Sequence, residues 1–103
     1  MSALEAKDAY DSVGPVLQIG ELAEAVVEAI CRENEAVVLH DRGSYIRVLV
    51  PRRCVLSRSA VESCLGREFQ LPSDLELIMP AFKGRLKLDE RGAVWSFEGE
   101  AKP

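Results

Sequence analysis

The sequence predicts an α+β domain, a mostly antiparallel sheet with two helices packed on one face. Three observations lead there. Between Glu21 and Glu33 the charged residues fall on one narrow helical arc and the apolar ones fill the opposite side. Short apolar runs elsewhere, such as Tyr45 to Val50 and Ala93 to Phe97, are rich in β-branched or aromatic residues. Clusters holding Gly, such as Asp41-Arg42-Gly43-Ser44 and Asp89-Glu90-Arg91-Gly92, separate neighbouring runs at hairpin distance. The predicted order is β-α-β-β followed by α-β-β-β, a meander whose neighbours are antiparallel.

At 103 residues and 48% apolar composition, the chain fits one domain with a single core. Residues 1–12 are polar, mixed in charge and aperiodic, and read as a flexible arm. Residues 13–98 hold the domain, and 99–103 fray. Val13 to Ile19 is β-prone, but Pro15 lacks a backbone donor, which predicts an edge strand or an irregular start.

In the helix that follows, Glu21, Glu24, Glu28 and Arg32 share the polar arc. Leu22, Ala23, Val26, Val27, Ala29 and Ile30 form an apolar side broad enough to lie on a sheet. Acids in the first turn and Arg32 in the last suit the helix dipole. Asn34-Glu35 ends the helix. Ala36 to His40 and Tyr45 to Val50 then read as a hairpin, with Ile46, Val48 and Val50 on one face and Tyr45, Arg47 and Leu49 on the other.

Pro51 closes that strand, and Cys54-Val55-Leu56 adds a short one. A second helix begins at Ser57 as N-cap, with Ser59 and Glu62 spaced as a capping box and Gly66 at the C′ position. Its buried stripe is Ala60, Val61, Cys64 and Leu65. Leu75 to Met79 reads as a strand with Leu75, Leu77 and Met79 inward, and Pro80 to Gly84 as a turn. Arg85 to Leu88 and Ala93 to Phe97 close a final hairpin.

The composition excludes several kinds of function. Thirteen Lys and Arg against 17 Asp and Glu give a net charge of −4, which repels a phosphate backbone, so no nucleic acid is expected as partner. Arg47, Arg52, Arg53 and Arg58 come near to a basic cluster, but no aromatic side chains are interleaved to stack bases, and the cluster reads as a solvated face or a protein-docking patch. No apolar run approaches the ~20 residues that span a bilayer, and the amino terminus lacks the apolar core of a signal peptide, so no membrane and a cytoplasmic location are expected. Cys31, Cys54 and Cys64 are scattered and predict packed, reduced thiols. His40 is the sole histidine. With no second ligand nearby it gives no metal site, and no Ser/His/Asp arrangement can be built on other histidines. No phosphate loop is present, so neither a catalytic residue nor a cofactor is predicted.

Read as a string, several pieces resemble one family. They are Val13-Gly14-Pro15-Val16, Gly20-Glu21-Leu22, Arg42 with Tyr45-Ile46-Arg47-Val48, Leu56-Ser57-Arg58, Val61-Glu62, Leu65-Gly66-Arg67, Phe69, the strand expected from Leu75 to Met79, and Phe82-Lys83-Gly84-Arg85-Leu86. Their order and spacing resemble the effector proteins of soluble diiron multicomponent monooxygenases, most of all those of the toluene 4-monooxygenase type and its alkene-oxidising relatives. Pro51-Arg52-Arg53-Cys54 lies outside the match.

The resemblance implies a cofactor-free regulatory subunit, not an enzyme, that binds a diiron hydroxylase and raises its turnover and coupling. A ferredoxin and an NADH reductase would complete the system. It places the expected partner interface at Arg42, Tyr45, Arg47, Arg67, Phe69, Phe82, Lys83 and Arg85, with Phe69 and Phe82 equally readable as core. A monomer is expected when free. Two other readings compete, a small-molecule-binding α+β sensor and a thiol or metal enzyme using Cys54, Cys64 and His40.

Overall fold

Alternating and helical stretches resolve into seven strands and three helices among residues 11–97, which the computed structural model describes. In order they are β1 (Ser12–Gln18), α1 (Glu21–Glu33), β2 (Val38–Asp41), β3 (Tyr45–Pro51), β4 (Arg53–Ser57), α2 (Arg58–Leu65), α3 (Ser73–Ile78), β5 (Ala81–Lys83), β6 (Arg85–Leu88) and β7 (Gly92–Ser96). The predicted arm and carboxyl end lie outside the described residues except for Asp11 and Ser12, and Ser12 already begins β1.

Strands β2-β3-β1-β5 form one sheet and β4-β7-β6 a second, with every neighbour antiparallel. Only Arg52 separates β3 from β4, and only Gly84 separates β5 from β6. The lateral orders β3-β1-β5 and β4-β7-β6 therefore run in step, and the start of β1 meets the end of β7 between them. The two sheets are arms of one bent layer. Arg52, at φ 70, marks the bend on one side. Its N–H donates to Asp11 O and its carbonyl accepts from Phe97 N–H, both at 3.0 Å.

Both arms turn their inner faces to one core. Val13, Leu17, Val48 and Val50 come from the first arm, Cys54, Leu56, Ala93 and Trp95 from the second, and Val26, Ala29, Ile30, Val61, Phe69 and Leu75 from the helices and the α2–α3 connection. The helices thus fill the concave side. α1 packs against α2 and β4, and its last turn also finishes β4's free edge. The Asn34 side chain donates to Val55 O at 2.8 Å and accepts from Val55 N–H at 2.9 Å, while Glu33 accepts the Ser57 N–H at 2.8 Å. An edge strand that would otherwise offer open backbone groups is paired by a helix end.

Three expectations change. Pro15 is not on an edge strand, since β1 lies between β3 and β5, although the irregular start expected of it is present. The strand tolerates it because the β3 ladder lapses there: Val13 pairs with Val50 and Val16 with Arg47, and Gly14 and Pro15 are skipped. Gly14 crowds its neighbour so closely that a Cβ would lie 2.3 Å from Val48 O. The second change is Leu75 to Met79, which falls in helix α3 and the residue after it rather than in a strand. Leu71, Leu75, Ile78 and Met79 are buried at helical spacing, and Leu77, expected inward, is 72% exposed. Pro72 opens α3, and Asp74 and Glu76 stand in its first turn, which suits the dipole. Third, the predicted turn from Pro80 to Gly84 contains β5, paired with β1.

Helix α2 is capped as predicted by Ser57, whose hydroxyl accepts the Ala60 N–H, and ends in left-handed Gly66. Glu62 does not close a capping box with Ser59. It accepts instead from Phe69 N–H at 2.9 Å and Arg58 Nε at 3.0 Å, tying the chain after α2 back onto the helix. The Phe69 amide first, and the Arg58 guanidinium second, hold its carboxyl below the ordinary value of 4.5. A depressed carboxylate contributes stability that is present above its unfolded pKa and lost as pH falls through the folded one. Glu62→Gln should therefore flatten the decline in urea midpoint between about pH 5 and pH 3, relative to the parent. Identical slopes would show that Glu62 carries no linkage.

Candidate functional site

Directly paired residues on antiparallel strands share a face. In the first arm Tyr45 pairs with Gln18, Arg47 with Val16 and His40, Val16 with Ala81, and Gly14 with Lys83. In the second, Ser96 pairs with both Arg53 and Arg85, and Val94 with both Val55 and Lys87. These positions alternate with the core residues, so they cover the convex side of the layer. Ser12, Gly14 and Leu49 on this side are buried, while Gln18, Tyr45, Arg47, Arg53, Ala81, Lys83, Arg85 and Lys87 are exposed.

A depression of about 340 Å³ opens among Val16, Gln18, Ser44, Tyr45 and Pro80. Tyr45, 40% exposed, presents an aromatic ring beside it, the kind of amphipathic anchor enriched at protein interfaces. His40 adds a buried Nδ1 with no hydrogen-bond partner among the described residues.

Of the side chains expected at a partner interface, Tyr45, Arg47, Lys83 and Arg85 come together on this convex face. Arg42 lies in the β2–β3 loop beside it, its N–H donating to Tyr45 O at 2.9 Å. Phe82 pairs with Pro15 and belongs by register to the core side, yet it is 45% exposed because β5 is an edge strand. Arg67 is on the helical side, 3.0 Å from Glu21. Phe69 is fully buried, which corrects its reading as a surface contact. Arg53, read from the sequence only as part of the basic cluster, and Lys87, not singled out, also lie on this face. Both are the outward members of alternating runs, Arg53-Cys54-Val55-Leu56 and Arg85-Leu86-Lys87-Leu88, and that alternation was the available signal.

The sequence cluster of Arg47, Arg52, Arg53 and Arg58 is divided by the fold. Arg58 pairs with Glu62 on α2 and Arg52 lies 3.6 Å from Asp11, while Arg47 and Arg53 project from outward strand positions.

The thiols offer no nucleophile in the core. Burial, then the neighbouring Cys31 and Glu33, push the Cys54 thiol up to about 12 from an ordinary 9.0. Cys31 was expected to pack but is exposed, since seven residues after Glu24 it falls on the Glu24–Glu28 arc. A thiol reagent at about pH 8 should modify Cys31 rapidly and Cys54 only on unfolding. Because the folded pKa of Cys54 is the raised one, its contribution to stability is complete below the unfolded value near 9 and is lost as pH rises toward about 12. Fast labelling of Cys54 in the folded protein would contradict its burial. Among the described residues no three His, Cys, Asp or Glu side chains gather to hold a metal ion, and no helix is long and apolar enough to cross a membrane.

The arrangement is thus an exposed strand face backed by a helix-filled core, and its fold recurs in known proteins. Two solved structures of phenol hydroxylase–regulatory protein complexes contain chains that superpose with TM-scores of 0.73 and 0.69. The first is 19% identical, with 82% of this chain and 95% of that one covered; the second is 22% identical, with 82% and 98% covered. At such identities the likeness is one of fold. An effector subunit of the alkene monooxygenase system of Xanthobacter autotrophicus (strain ATCC BAA-1158 / Py2) is 38% identical over 88 residues, which is 84% of this chain and 86% of the relative. The profile of the MmoB/DmpM family spans residues 11–96, from the residue before β1 to the last residue of β7, and the chain belongs to that family.

Proposed function

We propose that this protein is a cofactor-free effector that binds the diiron hydroxylase of a toluene/alkene-type monooxygenase and tunes its active site, raising turnover and coupling. The observation that carries the reading is the 38% identity to an alkene monooxygenase effector subunit over nearly the full length of both chains. The site agrees with it. Its convex strand face presents exposed charged and aromatic side chains to a partner, so the protein acts through binding energy, by preferring one state of a partner to another. Moving a hydroxylase from about 10% to about 90% in its productive state needs a differential affinity of about 2.6 kcal/mol, within reach of a few well-placed side chains. The effector works in the cytoplasm, beside the ferredoxin and NADH reductase that feed the hydroxylase.

The docking residues in this reading are Tyr45, Arg47, Lys83 and Arg85 on the convex face, with Arg42 and Phe82 at its margins. Arg67, paired with Glu21 on the other side, is not among them. The sensor reading has little to stand on. The groove between α1 and β3, about 330 Å³ and lined by Ile19, Ala23, Val27 and Ile46 with Glu24, Glu28 and Asp41, is open to solvent, whereas small-molecule sites bury most of the ligand.

The test is steady-state hydroxylation by a purified alkene- or toluene-type diiron hydroxylase with its electron-transfer chain, titrated with this protein. Product formed per NADH should rise and level off near one effector per active site. No stimulation, together with no complex on gel filtration, would remove the effector reading.

A further inference from the structure

The charges of the described residues are sorted by face. On the helical side each of Arg32, Arg58 and Arg67 is matched to a carboxylate: Arg32 to Glu28 at 2.9 Å, Arg58 to Glu62 at 3.0 Å and Arg67 to Glu21 at 3.0 Å. Glu24 and Glu76 remain there as additional acid. The convex strand face is the reverse. Its outward positions carry Arg47, Arg53, Lys83, Arg85 and Lys87, and among the described residues not one outward position of β1 to β7 is Asp or Glu. Arg47, Arg53, Arg85 and Lys87 form no ion pair with a described residue. Among the described residues this leaves a cationic strand face opposite a helical side on which acids outnumber bases.

We infer that the hydroxylase meets this convex face with a carboxylate-rich surface of its own, steered by Arg53 and Lys87 of the second arm together with Arg47 and Arg85, and that the acidic helical side faces away from it. This rests on the effector reading. Four cations without an ion-pair partner among the described residues lose no such pair when a partner's carboxylates approach, whereas the arginines of the helical side would first have to leave theirs. A charge dipole across a small protein also orients it before contact, so the wrong face is repelled as the right one is drawn in. Arg53 and Lys87 extend the interface beyond the first arm, whose depression at Tyr45 and Gln18 receives a side chain of the partner.

The experiment compares the double reversal R53E/K87E and its neutral counterpart R53Q/K87Q with a helical-side reversal, E24K/E28K, in the same hydroxylase titration at low and at high salt. All the changed side chains are solvent-exposed, and near-UV circular dichroism with Trp95 fluorescence checks that each variant is folded. The concentration giving half-maximal stimulation should rise by about tenfold or more for R53E/K87E at low salt, and less for R53Q/K87Q. The gap should close at high salt, with maximal turnover preserved. E24K/E28K should bind as well as the parent or better. An unchanged half-saturation for R53E/K87E, or weakening confined to E24K/E28K, overturns the orientation while stimulation by the parent protein keeps the effector reading. A parent protein that fails to stimulate overturns the effector reading itself, and with it this inference. Salt-sensitive binding of the parent to anionic vesicles or duplex DNA, without salt-sensitive binding to the hydroxylase, assigns the face to another partner and also overturns it.

Discussion

Phe69→Ala should lower the unfolding free energy by about 3–5 kcal/mol, the usual cost of removing a fully buried aromatic ring. For a domain of this size the melting temperature would fall by more than about 10 °C. Phe69 has no exposed surface and joins the cluster that contains Trp95, Leu75 and Val61. Its backbone is held as well, since the Phe69 N–H donates to the Glu62 carboxylate at 2.9 Å. The ring therefore fixes the chain between α2 and α3 to the core. Phe69→Leu, which keeps much of the apolar volume, should retain most of the stability and leave half-saturation of the hydroxylase unchanged. Urea unfolding followed by the fluorescence of Trp95, the sole tryptophan and itself fully buried, reads both variants. If Phe69→Ala were as stable as the parent but weakened hydroxylase binding, the ring would belong to the interface after all.

The contrast between Phe69 and Tyr45 shows what could be read without coordinates. Tyr45 lies in a run of six residues whose alternation assigns each side chain a face, and the structure leaves it exposed on the side away from the core. Phe69 lies in Gly66-Arg67-Glu68-Phe69-Gln70, which has no period, and only the path of the chain back to Glu62 decides where the ring goes. Helix α1 was legible because it is long enough for its apolar arc to repeat, and its bounds agree with those expected. Helix α3 was not, because over six residues helical and strand periods both place Leu75 and Met79 inward, and only Leu77 against Ile78 tells them apart. Strand β5 was hidden for another reason. Ala81 to Lys83 is too short to show alternation and becomes a strand only because β1 offers it a partner. The cationic face was half visible, since Arg47, Lys83 and Arg85 were picked out and Arg53 stood in the basic cluster. Its coherence depends on the pairing of β4, β7 and β6, which brings Arg53 and Lys87 to the same side from distant parts of the chain.

Gly84→Ala should be the most damaging change at the bend and should cost about 2–4 kcal/mol, from strain and overpacking together. Gly84 is the single residue between β5 and β6, at φ 105, a conformation that L side chains rarely adopt. A Cβ there would also lie 2.7 Å from Val13 Cγ1 and 2.8 Å from Ser96 O, against the start of β1 and the end of β7. Val13 is fully buried, so its side chain can yield only by displacing the core. The same residue sets the relation between the two arms that carry Lys83 and Arg85, so the loss should extend from stability to the shape of the convex face. Under conditions where Gly84→Ala remains folded, its half-saturation for the hydroxylase should rise, whereas a variant destabilised equally at the remote Val61 should bind as the parent does. Equal binding by both would mean that the bend serves the fold alone.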